Sequence, residues 1–440
     1  MTSAVETLFQ YLCPKSPVPR PPSDQEPETS DLVLHPSNQE PETSDLVLHP
    51  SNQKPETSNQ ELLGVDWNAV IDTAAHNSLE PLLFKRLKES GTRAYVPAGS
   101  WERLRQAYFS SAQKNLHLYR ELRPVLRRLR DSGIPVIVLK GAFLAEAVYG
   151  DVALRPMCDV DLMVPKAELP KAQTILLDMG GVQKDPTGNE AFWREHHHPP
   201  PTYLRDLSIE LHWTIADPTG PVKIDPAGLW YRAQRATIAG VELLALSPED
   251  LLVHLCVHFG GEHHLNGLRS FCDITETIRL RGGDMDWQQV VDSTREWLAA
   301  RYVGLTLHLA RRLVGAGVPD DVLERLVPGG IDEHVLELAR QLVLADTGYA
   351  PWSPVSGLVG ARSFNDKTKL LWQRVFLSRD EMARVYPGSR ESRFLCRYYA
   401  LRVRDVIRNR GATVVKLARS PDFAESTTES AVVANWLRSG

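Results

Sequence analysis

The sequence predicts an α+β protein in which a small mixed sheet, over residues 133–245, is held between two helical regions. Three observations lead there. Short β-rich runs, Ile134–Leu139 (IPVIVL), Asp159–Val164 (DVDLMV) and the alternating Leu207–Ile215 (LSIELHWTI), cluster in that span. On either side of it, apolar residues recur at helical spacing. Ahead of both lies a polar repeat that cannot contribute to a core. The resulting organisation is an N-terminal helical segment (1–21), a repeat linker (22–62), a helical region (63–132), the sheet unit (133–245) and a C-terminal helical domain (246–440).

The linker is a tandem duplication. Residues 22–35 read PSDQEPETSDLVLH, residues 36–49 read PSNQEPETSDLVLH, and a third copy begins at Pro50 and decays by Asn59. A 14-residue unit so rich in Pro, Glu, Ser and Thr buries too little apolar surface to offset its chain entropy, and it is too short for a solenoid repeat. Order is expected to resume near Val65. Asp66–Leu87 carries Trp67, Val70, Ile71, Ala74, Leu79, Leu82 and Leu83 at helical spacing, with Asp66 placed to cap it. Ser100 opens a longer helical pattern running to Leu129, with Pro124 inside it as a potential break. Gly133 stops it, and the IPVIVL strand follows. After Lys140-Gly141 come a helix-like AFLAEAVYG, a turn, the DVDLMV strand, a helix over about 168–179 and the LSIELHWTI strand. Ser247-Pro248-Glu249-Asp250 is a helix start, with a capping serine, proline in the first turn and acids at the positive end of the helix dipole. Helical pattern continues almost to the end.

Bulk properties exclude several classes. No apolar run approaches the roughly 20 residues that span a membrane. The N-terminus has no basic leader before an apolar core, so it does not read as a signal peptide. The five cysteines (Cys13, Cys158, Cys256, Cys272, Cys396) are scattered and contain no CxxC pair, which fits reduced thiols in a cytoplasmic protein. The net charge is −5, yet Arg20–Leu62 alone holds nine acidic and two basic residues, or −7. Subtracting that −7 from −5 leaves the remaining chain at +2. Such a balance gives no support to nucleic acid as a partner but permits a local basic pocket for a polyphosphate. There is no GxxxxGK, no GxGxxG in a βαβ setting and no GxSxG.

The chemistry gathers on three carboxylates. Asp159 and Asp161 are two apart on an expected strand, so both leave one face while Val160 and Leu162 anchor the other. Glu210, between Ile209 and Leu211, repeats that logic on a second strand. Were the strands neighbours about 4.8 Å apart, the three acids would converge on one metal cluster. His212 shares the face of Glu210 and is placed to touch a phosphate or orient a ligand. Hard oxygen ligands of this kind suit Mg²⁺, with Mn²⁺ as the alternative ion. A DxD pair alone is most often a solvated turn, so the surrounding order matters: strand, glycine turn, helix, DxD strand, helix, hEh strand.

That order is the layout of the polymerase-β-like nucleotidyltransferase fold. The segment LKGAFLAEAVYGDVALRPMCDVDLMV resembles the signature of an uncharacterised bacterial nucleotidyltransferase family, and so do Ile209–Trp213 (IELHW), Leu246–Leu252 (LSPEDLL) and Leu255–His258 (LCVH). The likeness covers about residues 63–410. It implies an NTP, ATP foremost, as donor and an unidentified acceptor, with Asp159 and Asp161 binding the metal, Glu210 as third carboxylate and Gly141 lining the nucleotide turn. One departure stands out. Where the wider superfamily has Gly-Ser, this chain has Gly141-Ala142, so a hydroxyl for the triphosphate is missing. Lys140, as a point charge, and Arg155, through a bidentate fork, are the candidates to replace it. The missing serine also motivates a rival reading, a degenerate binding or scaffold protein on this fold. A third reading uses the NTP as a phosphoryl donor.

Weaker signals remain. His196-His197-His198 resembles a metal tract, but alternate residues of an extended chain point oppositely, and a polar strand edge with His198 near substrate is the simpler expectation. His254 and His258 have the i, i+4 spacing of a zinc pair without the glutamate of HExxH; a packed helix is favoured, with His258 the one to meet substrate. Arg269 and Asp273 at i, i+4 most simply form a surface ion pair, with a place for Asp273 near the cleft as the alternative. Gly388–Arg419, with nine basic residues against two acidic, reads as a solvated helix face.

Overall fold

The computed structural model describes residues 4–12, 64–183, 198–218, 220–262, 265 and 267–344. Toward the C-terminus it describes 396–404, 421–439 and a few positions between 376 and 394. The repeat linker, His196, His197 and most of Gly388–Arg419 lie outside the described residues.

Helix α1 (Ala4–Leu12) precedes the linker yet belongs to the main core. Leu8, Phe9 and Leu12 are buried, and the Phe9 ring meets Phe271 edge-on at 6.2 Å. The helical pattern expected over Asp66–Leu87 divides in two, α2 (Trp67–His76) and α3 (Glu80–Glu89). Asp66 caps α2 as expected, its Oδ1 accepting from the amides of Asn68 and Ala69 at 3.1 Å. The division has a local cause. The Pro81 ring would collide with the Asn77 carbonyl of a continuous helix, and the chain turns instead through Ser78 at φ 54°. Helix α4 (Ala98–Asp131), by contrast, runs through Pro124 uninterrupted. The carbonyl deprived of its amide belongs to Arg120, on the exposed side, where water can satisfy it.

Seven strands form one mixed sheet: β1 (Ile137–Val138), β2 (Val160–Met163), β3 (Val182–Gln183), β4 (Thr202–Leu204), β5 (Leu207–His212), β6 (Gln234–Ile238) and β7 (Val241–Ala245). Their order is β3-β4-β5-β2-β1-β7-β6. β2 and β5 are parallel, with Asp161 opposite Glu210, whereas β1 and β2 are antiparallel. The expected strands are all present but shorter, and β1 keeps only two of six residues. The β6–β7 hairpin was not among the expectations. Its turn, Ala239-Gly240, takes φ of 54° and 67°, the pair of positive values that a tight two-residue hairpin needs. β7 then supplies the parallel partner of β1.

Alternation across the sheet separates two cores. Val160 and Leu162 of β2 pack with Ile209 and Leu211 of β5 against the second half of α4 and against α6 (Leu169–Asp178), which follows the short α5 (Lys140–Phe143). Asp161 and Met163 face the other way, toward the C-terminal helices, and Met163 joins their core. Those helices, after α7 (Pro226–Arg232), are α8 (Pro248–Val257), α9 (Arg269–Arg281), α10 (Trp287–Glu296), α11 (Ala300–Val314), α12 (Asp320–Leu326), α13 (Glu333–Leu344) and α14 (Pro421–Arg438). Helix α8 begins as the sequence dictates: the Ser247 Oγ accepts from the Asp250 amide at 3.1 Å, with Pro248 in the first turn. No helix among the described residues is long and apolar enough to cross a membrane. The α+β class expected from the sequence is the one observed.

Because α1 is tied to the remainder only through the repeat, its anchoring rests on packing. Phe9→Ala is expected to lower the unfolding free energy by about 3 kcal/mol in denaturant titration, the typical cost of emptying a buried phenyl site.

Candidate active site

The parallel register of β2 and β5 builds the centre. Glu210 and His212 are two apart on β5 and share a face, and Asp161 lies beside Glu210 on β2. His212 Nε2 sits 2.9 Å from Asp161 Oδ1 and 3.5 Å from Glu210 Oε2. Among the described residues, these three are the group of possible metal ligands, their ligand atoms all within 4.8 Å of one another. His212, expected to touch a phosphate or orient a ligand, stands among the carboxylates themselves. Asp159 takes the reverse course. β2 begins at Val160, so Asp159 sits at the strand entrance, partly exposed and outside the close group.

The charges explain how such a cluster folds. Burial alone would raise the Asp161 carboxyl, but the Lys140 ammonium and the hydrogen bond with His212 outweigh it and hold the group well below the usual range. Hydrogen bonding to His212 likewise depresses Glu210. For His212, burial favours the neutral ring, while its bonds to Asp161 and Glu210 reverse that and raise its affinity for a proton. At Asp159 the balance falls the other way: burial, then the charges of Asp161 and Glu210, push its carboxyl upward against the smaller opposing effects of Lys140 and Cys158. Negative charge is thus left unbalanced at the strand entrance. A dication with hard oxygen ligands is the species this donor set fits.

Lys140 reaches the centre from a backbone at φ 32°, a conformation that side-chain-bearing residues avoid at a cost of roughly 1–3 kcal/mol. Its Nζ donates to His258 Nε2 at 2.7 Å and lies 3.7 Å from Asp161 Oδ1. His258 follows the end of α8, and the buried His254, one turn earlier, has its ring 5.9 Å away. Helix α8 is buried along its length, as in the packed-helix reading, and its end brings His258 to Lys140. His198 completes this side, with Nε2 3.9 Å from Glu210 Oε2 and its ring 5.0 Å from that of His212. Burial lowers its proton affinity.

Arg155 and Gly141 meet each other at a second corner. The Arg155 guanidinium forks onto Asp273: Nε lies 3.1 Å from Oδ1 and Nη2 lies 3.1 Å from Oδ2. Asp273 also accepts from the Tyr149 hydroxyl at 2.9 Å. The surface pair expected between Arg269 and Asp273 does not form. Asp273 is buried, facing Arg155 across the fold, and Arg269 Nη1 instead donates to the Pro156 carbonyl at 3.2 Å. Helical periodicity saw the spacing but not which face α9 buries. A Cβ on Gly141 would lie 3.1 Å from Arg155 Nη1 and 3.2 Å from Met157 Sδ, so the guanidinium lies directly against this turn.

Helix α4 was expected, but the role of its polar side chains is the part that sequence reasoning missed. Asn115 Nδ2 donates to the carbonyls of Val152 (2.5 Å) and Arg155 (2.9 Å), and Tyr119 donates to the Ala142 carbonyl at 2.6 Å. Tyr108 donates to Asp151 at 2.8 Å. These residues, spaced at 108, 115 and 119, lie along one face of α4 and hold the whole connection from the LKG turn to β2. The available signal was a polar Asn and two Tyr recurring on an otherwise apolar stripe.

With this geometry in place, comparison with known proteins assigns the class. A model of a family described as uncharacterised nucleotidyltransferase matches residues 64–315, more than half of the 440-residue chain. The chain belongs to that family. Its match begins where the sequence resemblance does and ends at the last residues of α11, short of the expected residue 410. No curated protein gives a significant match. Among solved structures, the chain is similar to the antibiotic-resistance factor ANT(2'')-Ia at 15% identity, over 44% of this chain and 97% of that one, with a TM-score of 0.31.

His212 touches both carboxylates of the close group, so its removal should loosen ion binding without unfolding the sheet. In a Mn²⁺ titration followed by electron paramagnetic resonance, His212→Ala is expected to weaken the affinity roughly tenfold to a hundredfold.

Proposed function

We propose that this chain moves a nucleoside monophosphate from an NTP, ATP foremost, onto a hydroxyl or phosphate acceptor. Pyrophosphate is the second product. The observation that carries the reading is the register of β2 and β5, which sets Asp161 opposite Glu210 with Asp159 at the strand entrance, inside a chain of the nucleotidyltransferase family.

Each residue then has a task. Asp161 and Glu210, with Asp159 completing the set, would hold Mg²⁺; Mn²⁺ satisfies the same oxygen ligands. What the ion supplies when bound is charge neutralisation at the α-phosphate and a more acidic acceptor hydroxyl. His212 orients the two inner carboxylates. Lys140, held by His258, presents its ammonium beside Asp161, where the anionic donor must lie. Gly141, by lacking a side chain, lets Arg155 lie against the turn, with a planar cation suited to phosphate oxygens. His198, on the rim by Glu210, is placed to contact the acceptor. The acceptor oxygen attacks the α-phosphorus, a hydroxyl acceptor giving its proton to solvent; the bond from phosphorus to the bridging oxygen breaks, and pyrophosphate departs with the electron pair.

Asp159→Ala and Asp161→Ala are each expected to abolish transfer, by at least about a thousandfold, while circular dichroism stays that of the parent. Chelation should have the same effect, and Mn²⁺ should restore activity. Retained transfer in both variants would sink the assignment. The released product separates the rival chemistry: pyrophosphate supports nucleotidyl transfer, NDP a phosphotransferase. No Mg²⁺-dependent stabilisation by millimolar NTP in a thermal-shift titration would support the scaffold.

A further inference from the structure

A buried carboxylate on α9 lies outside the set above and faces the Gly141 turn through a single intermediary. Asp273 takes one edge of the Arg155 guanidinium, Nε and Nη2. The remaining amino group, Nη1, makes no hydrogen bond among the described residues and is the atom that lies against Gly141. The fork has little freedom. Tyr149 donates to Asp273 Oδ1, Asn115 holds the Arg155 carbonyl, and the side chains of Arg155 and Asp273 are only 11% and 5% exposed. A guanidinium fixed at Nε and Nη2 has one direction left for Nη1, because its five N–H groups are coplanar. That direction is the turn where Ala142 lacks a hydroxyl.

The geometry points to Asp273, braced by Tyr149, as a positioning residue that aims Arg155 Nη1 at the phosphate chain of the donor and so replaces the missing hydroxyl of the turn. The inference deepens the transferase reading, on which it rests for the phosphate being that of an NTP. It also explains why the sheet unit needs α9. The sheet carries the carboxylates, and a helix 118 residues further along the chain from Arg155 sets the cation.

The test uses the full chain and inorganic tripolyphosphate, titrated calorimetrically with and without Mg²⁺. Arg155→Lys and Asp273→Asn are each expected to weaken binding about tenfold, the loss of one charge-assisted contact. Tyr149→Phe should weaken it about two- to threefold, and this variant carries the test if Asp273→Asn does not fold. The decisive readout is the double variant. In the Arg155→Lys background, Asp273→Asn should cost less than about twofold more, because Asp273 acts through the arginine. Undetectable binding by the parent chain, parental affinity in folded Asp273→Asn, or full additivity in the double variant would each overturn the inference. Transfer is not read in this experiment. A chain that binds tripolyphosphate through Arg155 but releases no pyrophosphate would refute the transferase reading and leave the role of Asp273 standing.

Discussion

Two carboxylates face each other across β2 and β5, inside the protein, and much of the structure serves to make that tolerable. Like charges directly opposite on neighbouring strands repel, and a buried ion without a partner costs several kcal/mol. Asp161 and Glu210 are opposed by the parallel register of β2 and β5, so their backbones cannot separate without breaking the ladder. Their charge is offset locally by the His212 ring between them and by the Lys140 ammonium 3.7 Å from Asp161. Lys140 is available only because the backbone accepts φ 32° at the turn. What local groups leave unbalanced gathers on Asp159, the carboxylate whose proton affinity is raised. An arrangement that is costly without a cation is well suited to holding one.

The surrounding layers follow from that demand. On one sheet face, Val160, Leu162, Ile209 and Leu211 pack beneath α4 and α6 and fix the height of the strands. On the other, the end of α8 brings His258 to Lys140, and α9 brings Asp273 to Arg155. Among the described residues, α4 makes no hydrogen bond to the carboxylates of the centre. Its Asn115 and Tyr119 hold the loop through backbone carbonyls, which do not depend on the identity of the residues held. The stretch between the LKG turn and β2 can therefore be long without being loose.

How much of this was legible in the sequence depended on the range of the interaction. Alternation in DVDLMV and LSIELH located β2, β5 and the placement of Asp161, Glu210 and His212 on one side, because a strand's period is local. Ser247-Pro248 gave the start of α8 for the same reason. The fine division of roles was not legible. Whether β2 begins at Asp159 or Val160 is set by pairing with β5, and it separates the inner from the outer carboxylate. Arg269 and Asp273 looked like neighbours on a helix surface, yet burial of that face sent Asp273 to Arg155, 118 residues earlier in the chain. The β6–β7 hairpin escaped because its turn is Ala-Gly, with alanine in a conformation usually left to glycine or asparagine. Contacts between distant segments, in short, carried what the local pattern lacked.

What decides the role of these carboxylates is where a divalent ion sits when a nucleotide is bound. Anomalous diffraction from crystals grown with Mn²⁺ and a non-hydrolysable NTP analogue measures this directly. The predicted result is a single strong peak about 2.1 Å from carboxylate oxygens of Asp161 and Glu210, with an α-phosphate oxygen on the same ion. A bound analogue whose ion lies away from both residues, with His212 still bridging the two carboxylates, would contradict it.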